Sequence, residues 1–209
     1  MKKSILLLII YCAIVAGSNA QTADRQEMMK DAGNQLKVWL NKIPGGSEQK
    51  YGFNNREEFP LATLGKPCQV FSLTGDFFKE ELRPGKNYLE TTGEWRIPVM
   101  VNQENRAVLT LVKKKNKWKV VSLGARVLAR ELQELEKYPG LGQSENLRML
   151  RVYQLQSDFL LEGDPFSSAV EITVYPMHSA VLNMQKIREG ATVKLGLNEL
   201  LTFIKESTR

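Results

Sequence analysis

The sequence predicts an α+β domain built on an antiparallel sheet. Between about residues 95 and 123, apolar and polar residues alternate in three runs separated by short turns, which is typical of a three-strand meander. Helical spacing of apolar residues occurs before and after this stretch, so strands and helices are segregated along the chain rather than alternating as in a parallel βαβ array. We expect helices to flank the sheet and a later long hairpin to extend it.

The elements before the meander begin with a helix over Asp24–Ile43. Apolar residues recur there at the spacing of one helix face, and a Pro-Gly-Gly sequence ends it. A short helical turn is predicted within Arg56–Phe59. The sequence Leu64-Gly65-Lys66-Pro67 then leads into a strand over Cys68–Leu73, and Asp76–Leu82 is predicted as a second helical turn.

The first strand of the meander contains Ile97, Val99 and Val101, which alternate with less apolar residues. Pro98 interrupts the donors of this strand, so the strand is predicted to lie at a sheet edge or to carry a bulge. Residues 107–111 and 118–123 form the second and third strands.

A helix over Ala125–Lys137 follows the meander, because its apolar residues fall on one face. Leu147–Leu161 is predicted as one long strand, or as a strand with a bend. Gly163-Asp164-Pro165 then turns the chain into a returning strand that spans Val170–Val174.

The C-terminal part is less regular. Asn198 is predicted to cap a last helix over Glu199–Lys205, whereas Met177–Leu197 shows too weak a pattern to predict any element. Residues 21–209 are expected to form a single domain, with a subdivision near 140–145 as the alternative.

The N-terminus is typical of a cleavable signal peptide. Lys2 and Lys3 precede an uncharged, mostly aliphatic stretch, and Ser18-Asn19-Ala20 supplies small residues at a cleavage site. The apolar stretch is shorter than the roughly 20 residues that span a bilayer. A lipoprotein would need Cys12 as its lipid-bearing residue, but Cys12 follows a bulky tyrosine inside the apolar stretch. We therefore expect cleavage after Ala20 and a soluble protein in the periplasm or outside the cell.

Composition limits the chemistry. The chain has one histidine and two cysteines, so once residues 1–20 are removed Cys68 is the only thiol and no internal disulfide can form. Because no motif has metal-ligand, phosphate-loop or dinucleotide-binding spacing, we expect neither a metal nor a cofactor. Cys68 is predicted to be buried. The alternative is a hydrolase that uses Cys68 with His178, or a carboxylate pair among Asp76, Glu80 and Glu81.

The strongest local charge feature is a lysine-rich turn. It comprises Lys113, Lys114, Lys115, Lys117 and Trp118, which are the candidate binding residues of the sequence. One interpretation is a solvated hairpin tip that keeps a sheet edge soluble. The other is a docking point for an anionic polymer or an acidic protein, with Trp118 stacking on the ligand. Trp118 also alternates with a valine, which would direct its ring into the core instead.

Three stretches resemble a set of functionally uncharacterised secreted bacterial proteins. They are Leu64-Gly65-Lys66-Pro67-Cys68-Gln69-Val70, Trp95-Arg96-Ile97-Pro98-Val99-Met100-Val101 and Trp118-Lys119-Val120-Val121-Ser122-Leu123-Gly124. The order of helix, strand, meander and helix is also similar to cystatin-like and NTF2-like sheets. The resemblance implies a secreted α+β domain and assigns no catalytic residue.

The expected function is that of an exported, non-catalytic binding or interaction module of the bacterial envelope or extracellular space. Its partner is expected to be another envelope or extracellular protein or peptide, with an anionic polymer as the alternative. Without Lys2 and Lys3 the formal charge falls from +6 to +4, an excess that is too mild to indicate nucleic acid. A strand edge that contains Pro98, or an open sheet face, would supply the contact surface.

We predict that the protein isolated from its natural host begins at Gln21, because a signal peptidase would cleave after Ala20. Intact-mass spectrometry of the purified protein measures this directly. A mass that includes residues 1–20, or one that includes a lipid on Cys12, would contradict the prediction.

Overall fold

A computed structural model describes residues 23–138, 141, 147–166, 172–185 and 194–208. The predicted signal peptide, Val170 and all of the segment near 140–145 except Leu141 lie outside these residues. The described helices are α1 (23–41), α2 (Gly75–Lys79), α3 (Arg126–Leu135), α4 (His178–Gln185) and α5 (Leu197–Ser207), together with 3-10 helices at Glu48–Tyr51, Arg56–Leu61 and Tyr153–Leu155. The strands are β1 (Thr63–Leu64), β2 (Cys68–Leu73), β3 (Leu89–Val101), β4 (Glu104–Lys114), β5 (Lys117–Gly124), β6 (Leu147–Val152), β7 (Ser157–Glu162), β8 (Thr173–Pro176) and β9 (Leu195–Gly196).

These strands form one open sheet in the order β5-β4-β3-β2-β6-β7-β8-β9, and β1 pairs with one end of β3. Every pairing is antiparallel except that of β2 with β6, which is parallel. The predicted α+β class, with a mostly antiparallel sheet and flanking helices, is therefore confirmed. No described helix is long and apolar enough to cross a membrane.

Helices α1 and α3 cover opposite faces of the meander. Ala107 and Leu109 on β4 pack with the apolar side of α1, whereas Val108 between them packs with Ala129 and Leu132 of α3. The side chains of a strand alternate between the two faces of a sheet, so one strand serves both helices. The predicted helix over Asp24–Ile43 thus supplies the core of one face.

The other half of the sheet repeats this arrangement with α5. Phe159 and Leu161 on β7 pack with α5, whereas Leu160 joins the cluster on the α3 side. Helix α5 begins after Gly196, which makes no side-chain cap. The predicted cap at Asn198 is wrong, because that residue already lies in the first turn of the helix.

The strand that contains Pro98 is not an edge strand. β3 pairs with β4 on one side and with β1 and β2 on the other. Pro98 lies where β1 gives way to β2, and its carbonyl accepts a hydrogen bond from the Gly65 amide at 2.8 Å. A Cβ at Gly65 would come within 2.9 Å of the Met100 sulfur, so a larger residue there would displace the Met100 side chain. The alternative of a bulge is confirmed by a register shift between Val99 and Met100.

Leu147–Leu161 is not one long strand. The chain reverses at the 3-10 turn Tyr153–Leu155, and Gln156 completes the reversal with a φ of 49°. β6 and β7 therefore pair with each other, and the returning strand β8 adds a third antiparallel strand. The prediction failed because this turn contains neither glycine nor proline, the residues that usually indicate a reversal.

The edge of the sheet at β5 is covered by one side chain of α1. The Gln35 amide donates to the Trp118 carbonyl at 3.1 Å and accepts from the Val120 amide at 3.0 Å. These are the backbone groups that a further strand would bind, so Gln35 occupies the position of a peptide group of that strand. The covered edge cannot pair with another chain at this point.

We predict that Gln35→Ala lowers the free energy of unfolding by about 1–3 kcal/mol, because two part-buried backbone groups lose their partner. Urea denaturation measures the change. Lys37→Ala is the matched control, since Lys37 is exposed on the same helix and lysine and glutamine have similar helix propensities. Equal midpoints for the two variants would show that the Gln35 contacts contribute nothing.

Candidate functional site

A cleft of about 930 Å³ opens between α3 and α4, beside the hairpin of β6 and β7. Its walls carry aliphatic side chains that remain in contact with solvent. Val127 on α3 is 62% exposed and Leu182 on α4 is 46% exposed, with the half-buried Leu128 close by. The other lining residues are polar or small: Gln49, Lys50, Ala125, Arg126, Glu131, Arg151, Asp158, His178 and Ser179.

The sheet positions the floor of the cleft. Arg151 on β6 lies directly opposite Asp158 on β7, so the hairpin brings the two side chains together. The amide of Met177 donates to the Asp158 carbonyl at 3.0 Å, and the amide of Asp158 donates to the Ser179 hydroxyl at 3.1 Å. These two bonds place the start of α4, at His178, over β7.

Asp158 is held between two guanidinium groups. Its carboxylate lies 3.2 Å from Arg151 Nη1 and 3.8 Å from Arg96 Nη1. Arg96 is buried on β3, where it also pairs with Glu94 at 2.8 Å and donates to the Met149 sulfur at 3.1 Å. The negative charge in the floor is therefore already neutralised by the protein.

Glu131 joins α3 to α4 across the cleft. Its carboxylate accepts a hydrogen bond from the backbone amide of His178 at 3.0 Å, at the first residue of α4. Burial beside the aliphatic walls raises the pKa of Glu131, and the bond from His178 partly opposes this. Both acids of the cleft are thus engaged with groups of the protein.

The cationic side chains at the rim of the cleft form no ion pair with a carboxylate of the described residues. They are Lys50 and Arg126, which are both exposed. Arg126 makes only a long bond, 3.4 Å, to the carbonyl of Gln49. Among the described residues that line the cleft, Glu131 is the one carboxylate without an ion pair, so the two cations Lys50 and Arg126 leave the cleft with a net positive charge.

The lysine-rich turn lies on a different part of the molecule. Trp118 is only 5% exposed and its indole donates to Asp24 on α1 at 3.2 Å, while Lys113 pairs with the same carboxylate at 2.6 Å. These two residues therefore attach β4 and β5 to α1. Lys114, Lys115 and Lys117 are exposed at the tip, and ligand binding there stays a prediction.

Cys68, the thiol of the alternative hydrolase, has no access to solvent. Cys68 is 0% exposed and packs with Met149, Leu160 and Met177, which confirms that it is buried. Burial raises the pKa of the Cys68 thiol, although the charge of Arg96 opposes this, so the nucleophilic thiolate is suppressed. This environment favours a structural role.

The acidic residues of the α2 region are ion-paired. Lys86 Nζ lies 3.1 Å from Asp76 and also pairs with Glu80. The hydrogen bond from Lys86 lowers the pKa of Asp76. Two carboxylates that share one lysine are typical of a surface ion-pair cluster.

Sequence patterns missed the cleft residues Arg126, Glu131, Arg151 and Asp158. They come from α3, β6 and β7, and nothing in their local sequence distinguishes them from solvated charges. Arg151 and Asp158 come together only because the chain reverses at 153–156, and the sequence carries no usual signal for that reversal.

No known protein similar to this chain indicates what the cleft binds. The sequence matches no family model, no curated protein and no solved structure. Within the described ranges, no group of three or more His, Cys, Asp or Glu side chains is placed to hold a metal ion.

We predict that Cys68 in the protein that starts at Gln21 reacts with a thiol reagent at least about a hundredfold more slowly in the native state than in urea. A colorimetric disulfide reagent gives both rates. Val38→Cys, which adds a thiol at an exposed position of α1, should react at once and serves as the control. Similar native and denatured rates for Cys68 would contradict its burial.

Proposed function

We propose that this chain is an exported binding module of the bacterial envelope or extracellular space, and that the cleft between α3 and α4 takes a peptide segment of a partner protein. The observation that carries the proposal is the solvent contact of Val127 and Leu182 inside a concave site. Concave, partly apolar surfaces with a few fixed polar groups are the usual form of ligand sites.

The lining favours a peptide over a carbohydrate. The described residues that line this cleft include no Phe, Trp or Tyr, the side chains on which sugar rings stack, and the exposed Tyr153 packs beside Arg151 without being part of the lining. Val127, Leu128 and Leu182 instead offer aliphatic contacts to an apolar side chain. Burying such a side chain would contribute about 1.5–3 kcal/mol.

Export is supported by the sequence of residues 1–20. A charged start, a short apolar stretch and small residues before Gln21 are the three parts of a signal peptide. We propose the periplasm or the cell exterior as the place of action on this basis.

A hydrolase is the second candidate, and one observation favours it. Glu131, whose pKa is raised by burial, lines the same cleft as Asp158, which two arginines keep paired. Two carboxyl groups in environments that differ in this way can act as general acid and as charge stabiliser. Glu131 would then donate the proton to a leaving group.

The test is selection from a displayed library of random peptides on the immobilised protein. We expect enriched peptides that share an aliphatic residue, because the walls of the cleft are aliphatic. Leu182→Glu should abolish their binding, since it places a charge against the apolar contact. Isothermal titration with one synthetic selected peptide measures the loss.

Val38→Glu is the matched control, because it adds the same charge at an exposed valine of α1. No enriched sequence, or equal binding by the wild type and Leu182→Glu, would overturn the binding site. Cleavage of the selected peptide by the wild type but not by Glu131→Gln would favour the hydrolase.

A further inference from the structure

We propose that the peptide recognised by this chain is acidic, and that its carboxylates bind Arg126 and Arg130 on the exposed face of α3. The inference rests on the proposed binding function and specifies its ligand class. It is carried by a second cleft, which continues the first along the same helix.

The second cleft has a volume of about 480 Å³ and lies between α3 and the turn from β3 to β4. Its lining residues are Gly52, Glu104, Asn105, Arg106, Arg126, Arg130, Gln133 and Glu134. Arg126 lines both clefts, so the two meet at its side chain. One ligand lying along α3 can therefore contact the aliphatic walls of the first cleft and the polar walls of the second.

The acids of the second cleft already have cationic partners. Glu104 pairs with Arg106 Nη1 at 3.0 Å, and Glu134 pairs with Lys137 at 2.6 Å. Arg106 is further engaged by Glu58 at 3.1 Å. Within this lining, Arg126 and Arg130 are left without an ion pair to any described residue.

Arg126 and Arg130 are one helical turn apart, both exposed, and their side chains lie on the same face of α3. Like charges at this spacing repel each other, and an anion bound between them removes the repulsion. A guanidinium group binds a carboxylate through two parallel hydrogen bonds, which lysine cannot do. Aspartate or glutamate side chains of a peptide fit this chemistry.

The positions along α3 set the spacing of residues in the ligand. Val127 and Arg130 are separated by about 4.5 Å along the helix axis, at about 1.5 Å per residue. An extended peptide advances about 3.4 Å per residue. An aliphatic residue with an acidic residue one or two positions away, in either chain direction, therefore matches the distance between the apolar wall and Arg130.

The test uses two fluorescent peptides, one with two aspartates on each side of a leucine and one with asparagines in place of the aspartates. Fluorescence anisotropy gives both dissociation constants. We expect the wild type to bind the acidic peptide about tenfold more tightly, because its hydrogen bonds are charge-assisted. The double variant Arg126→Gln, Arg130→Gln should bind both peptides equally.

Lys30→Gln, Lys37→Gln is the matched control, because it removes the same charge from exposed positions of α1. It should keep the tenfold preference. If the arginine variant still prefers the acidic peptide, the proposal is overturned. It is also overturned if Lys114→Gln, Lys115→Gln loses that preference, because the anion site would then lie on the lysine-rich turn. Competition by an oligoglucuronate as strong as that of the acidic peptide would overturn it in favour of a polysaccharide.

The outcomes separate the two proposals. Equal binding of both peptides by the wild type, with loss of both in Leu182→Glu, overturns the acidic ligand and leaves the binding cleft standing. Binding of neither peptide, together with a library selection that enriches nothing, overturns both.

Discussion

One buried guanidinium, that of Arg96, holds the two halves of the sheet in register. It lies on β3, yet its side chain reaches Met149 on β6 and Asp158 on β7. Removing an ion from water costs several kcal/mol unless its partners are well placed. Arg96 is therefore stabilised by Glu94 and Asp158 together, and its side chain links β3 to β7 across the two strands that lie between them.

The same requirement determines the electrostatics of the cleft. Asp158 forms part of its floor, but its charge is shared by Arg96 beneath and Arg151 beside it. A ligand that drew Asp158 away would take from the buried Arg96 one of its two carboxylate partners and would leave Arg151 without its ion pair. The sheet thus supplies a rigid, neutralised floor, while α3 presents the cations Arg126 and Arg130 to solvent.

The parts of the fold that depend on local pattern were predictable, and those that depend on distant contacts were not. Alternation identified β2 and the meander, because each hairpin pairs neighbouring segments. The chain reversal that ends at Gln156 was not predicted, because Gln156 adopts a left-handed backbone (φ 49°) that usually indicates glycine. The same distinction holds for the candidate sites. The lysines around Lys115 are adjacent in sequence and could be identified from it. The pairing of Arg151 with Asp158 could be predicted only if the chain reversal between them were known.

The parallel pairing of β2 with β6 has a consequence for how chains assemble. Because Cys68 pairs with Leu147, this contact closes a long chain loop, whereas the hairpins of the meander close only short loops. During folding, one edge of β2 stays unpaired until β6 binds to it. That edge can pair with β6 of the same chain or with β6 of another chain, in the same register. At high concentration during refolding, two chains that exchange their C-terminal halves would satisfy every strand pairing of the monomer. Intertwined dimers are therefore the characteristic misassembly of this topology.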